Sequence, residues 1–164
     1  MNRKKSLVVL VGTLALFTVT AVLAGCAEVS TWWQNFQSNP VAQVTTFEQG
    51  AQVALSGAQV AFNLLLPRLA PADQAQAMTD FNNALATVNH ALVALNDAVT
   101  AAADAKQANP DFSGAMAAVT DAVNQVIAIV DQYTAKATIP ASSLPGLEDA
   151  KASAKHLTRW RTHP

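Results

Sequence analysis

The chain is poor in the residues from which reaction centres are built. Its single cysteine, Cys26, leaves no internal disulfide to form, so stability must come from packing. Aromatic residues make up 6% and charged residues 13% of the 164. Beyond residue 25 seven basic residues stand against eleven acidic ones, and so mildly acidic a domain shows no electrostatic footprint for nucleic acid and no basic patch to grip anionic lipid. The three histidines, His90, His156 and His163, have no His or Cys partner three or four residues away, so no helical metal pair is present. No Cys-x-x-Cys-His attachment and no Glu-x-x-His motif occurs, which removes the signatures of bound haem and of a di-iron bundle. Met78 and Met116 with His156 are the remaining residue types for an axial pair, and nothing in their spacing supports one. Glycine-rich phosphate loops and nucleophile elbows are absent. The carboxylates are mostly scattered singly, Glu148-Asp149 being an adjacent pair. No base, partner and pocket-forming trio emerges, so the chain is expected not to be an enzyme and to need no metal or cofactor.

What the sequence does hold begins at its start. Arg3, Lys4 and Lys5 precede an apolar run from Leu7 to Leu23, and Leu23-Ala24-Gly25-Cys26 closes it. Basic flank, apolar core and small-residue cleavage site are the three parts of a secretory signal. The segment resembles the signal sequence of a bacterial lipoprotein, with Leu23, Ala24 and Gly25 as the residues read by the signal peptidase. The resemblance covers the first 26 residues and implies cleavage before Cys26, a diacylglycerol on its sulfur and an acyl group on its new amino terminus. By the same resemblance, Ala27 in place of Asp favours the outer membrane over the inner. Two other readings stay open: an uncleaved membrane anchor, since Leu7–Ala24 is about 18 residues, and a general secretory signal that yields a soluble protein.

On the lipoprotein reading, residues 1–25 are removed and about 139 remain, enough for one domain with a core. Loss of Arg3, Lys4 and Lys5 leaves seven basic residues against eleven acidic ones, a net charge of −4. Residues 26–39 are an acylated tether carrying Trp32, Trp33 and Phe36. These aromatics either sit at the lipid headgroup level or pack on the domain as a lid.

Alanine supplies about a fifth of the chain, a composition suited to closely packed helices. The spacing predicts a first helix from Asn39-Pro40 to about Leu66, with a seam of Val44, Phe47, Ala51, Ala54, Ala58, Ala61 and Leu65. A second is expected from about Pro71 to Ala108, on Phe81, Leu85, Val88, Leu92, Leu95, Val99 and Ala102. Its alternation of four and three is the repeat of left-handed helix packing, and Asp80, Asn83, Asn89, Asp97 and Asp104 fall off the seam as a solvated face. A third is expected over 113–137, on Met116, Val119, Val123, Val126, Val130, Tyr133 and Ala137. Short proline-bearing turns make these antiparallel neighbours. After a breaker-rich linker, Leu147–Arg161 has a weak apolar face (Leu147, Ala150, Ala154, Leu157, and Trp160 or Arg161) and the basic residues Lys151, Lys155, Arg159 and Arg161. It is either a basic amphipathic helix for a membrane or acidic partner, or a short helix over the open bundle edge, or a frayed tail.

The expected fold is therefore all-α: an antiparallel three-helix bundle over 40–137, with 138–164 as linker and an optional short fourth helix. The expected function is a non-enzymatic envelope lipoprotein, anchored in a membrane, that works by contact with an envelope protein or by self-association. The alternatives are a bundle that holds a small hydrophobic molecule or lipid, and a phage-borne lipoprotein that excludes other phages.

Overall fold

A computed structural model describes residues 40–107 and 110–161. Those residues form four α-helices and no strand: α1 (Pro40–Leu65), α2 (Pro71–Asp104), α3 (Ser113–Lys136) and α4 (Leu147–Arg161). Short 3-10 turns at Leu66–Arg68 and Ala141–Ser143 lie in the connections. The fold is all-α, and α4 is an integral part of it.

Several helix ends have a local reason. Pro71 opens α2 at the first helical position, where its missing N–H costs nothing. The Asp111 carboxylate accepts the Ser113 amide at 2.8 Å and starts α3; hydrogen bonding from the Ser113 side chain, and then from this amide, holds the Asp111 carboxyl below its usual range. Glu148 and Asp149 lie in the first turn of α4, where the helix dipole favours negative charge.

The expected end of α2 at Ala108 is four residues too late. Lys106 turns to a left-handed φ of 50°, and its amide and that of Gln107 bond back to Ala103 and Ala102. Thr138 (φ 54°) and Ile139 close α3 in the same way on Ala135 and Thr134. Both are Schellman closures with a side-chain-bearing residue where glycine is usual, so no glycine marks either one in the sequence.

α3 is the central helix, packed against α2, α1 and α4. All seven expected seam residues of α1, Val44 to Leu65, are buried, and α3 buries Met116, Val119, Val123, Val126, Val130 and Tyr133. By length and composition α3 could cross a membrane, but its apolar side chains form the core of the bundle. α1 and α2 follow each other in sequence yet do not pack closely along their length. They meet through the stacked rings of Phe62 and Phe81, with centroids 4.0 Å apart. This is why Leu85, Leu92 and Val99 on the α2 seam are only half-buried, while Phe81, Val88, Leu95 and Ala102 are buried.

The main partner of α1 is α4. Leu147, Ala150, Ala154 and Leu157 are at most 3% exposed, so α4 closes the bundle. Phe47 meets Trp160 edge-on at 5.8 Å, Gly50 faces Leu157, and Gly57 faces Gly146 and Ala150; the order runs antiparallel. A methyl group on Gly57 would stand 2.5 Å from the Gly146 carbonyl oxygen. Gly146 itself has φ +91°, a conformation that costs a side-chain-bearing residue energy. Two glycines thus let the two backbones touch.

Candidate functional site

A group of polar side chains meets across helices between α2 and α3. The Tyr133 hydroxyl donates to Asp80 Oδ2 at 2.7 Å, and Gln76 Nε2 donates to Asp80 Oδ1 at 2.7 Å. One helical turn on, Lys136 Nζ reaches Asp73 Oδ1 at 2.6 Å and lies 5.5 Å from the centre of the Tyr133 ring. The hydrogen bond to Asp80 is the main reason the Tyr133 hydroxyl is pushed up to about 12, with burial and the charges of Asp80 and Asp73 adding to it. A phenol held protonated in this way is no nucleophile at neutral pH. The group fixes the register of α2 on α3, with 73 opposite 136 and 80 opposite 133. Asp80 therefore belongs to a helix contact and not to the solvated face expected for it. Lys151 likewise ties α4 to α3 through Asp131 at 2.8 Å.

Those contacts bear on the basic C-terminal helix. Its apolar residues are buried in the bundle and Lys151 is paired, so the face that would enter a lipid surface is already occupied; Lys155 is exposed. His90 and His156 are exposed on α2 and α4. Met78 is 47% exposed near the start of α2, and Met116 is buried near the start of α3; because α2 and α3 are antiparallel, the two lie toward opposite ends of the bundle. Met78 and Met116 are therefore not brought together. Among the described residues no cluster of three His, Cys, Asp or Glu side chains could hold a metal ion.

Two features escaped the reading of the sequence. Gln43, in the first turns of α1, is 4% exposed with neither amide atom hydrogen-bonded, and Glu48 Oε1 is likewise buried without a partner. An amide buried in this way costs about 1–3 kcal/mol. The second is the outward face of α1. Of its 26 residues only Glu48 is charged, while Val41, Val53, Val60 and Leu64 are 38–56% exposed.

The anchor residues Cys26, Leu23, Ala24 and Gly25, and the aromatics Trp32, Trp33 and Phe36, lie outside the described residues. Comparison with known proteins adds no assignment: no family model, curated protein or solved structure matches this chain.

Proposed function

We propose that this chain is a bacterial cell-envelope lipoprotein, held at a membrane by lipid on Cys26, whose helical domain works by protein contact and not by catalysis. The observation that carries this reading is Leu23-Ala24-Gly25-Cys26 directly behind a basic flank and an apolar run. Two or three acyl chains give durable anchorage, since each buried methylene contributes about 0.8 kcal/mol. Thirteen residues separate Cys26 from Pro40, a span of at most about 45 Å. The domain therefore works close to the lipid surface, at the outer membrane if Ala27 has its enteric meaning. In support of contact over chemistry, the Tyr133–Asp80 and Lys136–Asp73 pairs join helices to each other. The Gly57–Gly146 approach speaks for tight closure and against a widened layer that would hold an apolar ligand between α1 and α4.

Intact mass and membrane partition of the full chain expressed in a bacterial host, beside Cys26→Ala, test this reading. The expected outcome is lipid mass on a chain that starts at Cys26, with Cys26→Ala released from the membrane fraction. An unlipidated chain cut elsewhere, or one that keeps Met1, would overturn it.

A further inference from the structure

We draw no further inference here: the strongest candidate, the outward face of α1 on which Val53 and Val60 are exposed, carries nothing because nothing in the structure shows what covers it.

Discussion

The α1–α4 pair and the α2–α3 pair are both antiparallel, yet they hold together by opposite means. α1 and α4 approach most closely where side chains are smallest: Gly57 meets Gly146 and Ala150, while further along Gly50 meets Leu157 and Phe47 meets Trp160. Removing side chains brings the backbones into contact and leaves no slack. α2 and α3 keep larger side chains, Phe81, Val88, Val126 and Val130, and add an Asp80–Tyr133 hydrogen bond and an Asp73–Lys136 ion pair at one end. The first pair is specified by what cannot fit. The second is specified by what must align.

Substitutions that enlarge the first contact or neutralise the second should therefore differ in kind. The largest effect is expected for Gly57→Ala. Alanine normally gains about 1 kcal/mol over glycine inside a helix, but here its methyl would collide with the Gly146 carbonyl 2.5 Å away. A net loss of about 3 kcal/mol by urea unfolding is expected, in the upper range for overpacking. Gly50→Ala is the internal control, because its methyl would meet only the flexible end of Leu157 at 3.2 Å; it should be near neutral. Equal behaviour of the two variants would break the backbone-contact account.

Tyr133→Phe should come next, at about 1.5 kcal/mol, since it removes a hydrogen bond to a carboxylate. Because Tyr133 is the only tyrosine in the chain, its ionisation can be followed directly by ultraviolet absorbance. The hydroxyl should titrate near 12 and fall toward the ordinary value of 10 in Asp80→Asn. A raised folded pKa means this contribution is fully present below pH 10 and is lost as pH rises through about 12. Titration near 10 in the parent chain would show that the bond does not persist in solution. The smallest effect is expected for Asp73→Asn. Its ion pair is solvent-exposed, so the loss should be about 0.5 kcal/mol and should shrink in high salt. A larger, salt-independent loss would move this pair into the same class as Tyr133.

How much of this was legible follows from the same contrast. The α1 seam was readable residue by residue because three-and-four spacing reports a buried face whatever its partner. The α2 seam was readable in position but not in depth: Leu85 and Leu92 are half-buried because α1 leans toward α4, a choice of neighbour that periodicity does not encode. The weight of α4 was underestimated for a physical reason. Ala150 counts little on a hydrophobicity scale, yet opposite Gly57 it is the right size for contact. Asp80 looked solvated because a seam defined by apolar residues has no place for a carboxylate that meets the tip of Tyr133. The helix ends at Lys106 and Thr138 were hidden because neither uses glycine. The proposed anchor motif Leu23-Ala24-Gly25-Cys26 is a reading of the sequence alone and lies outside the described residues, whereas the exposure of Val53 and Val60 on α1 appeared only in the structure.

The docking of α4 on α1 also has a consequence for how the chain comes to be folded. Gly57 and Gly146 touch across about 90 residues of intervening sequence, so the contact that closes the bundle is among its least local. Such contacts carry the loop-closure cost before they repay it. Until α4 is in place, the side of α1 that meets Gly146 and Ala150 has no mate. α4, the last of the described helices, is the one that locks α1, and a chain stopped short of Leu147 would leave that side of α1 unclasped.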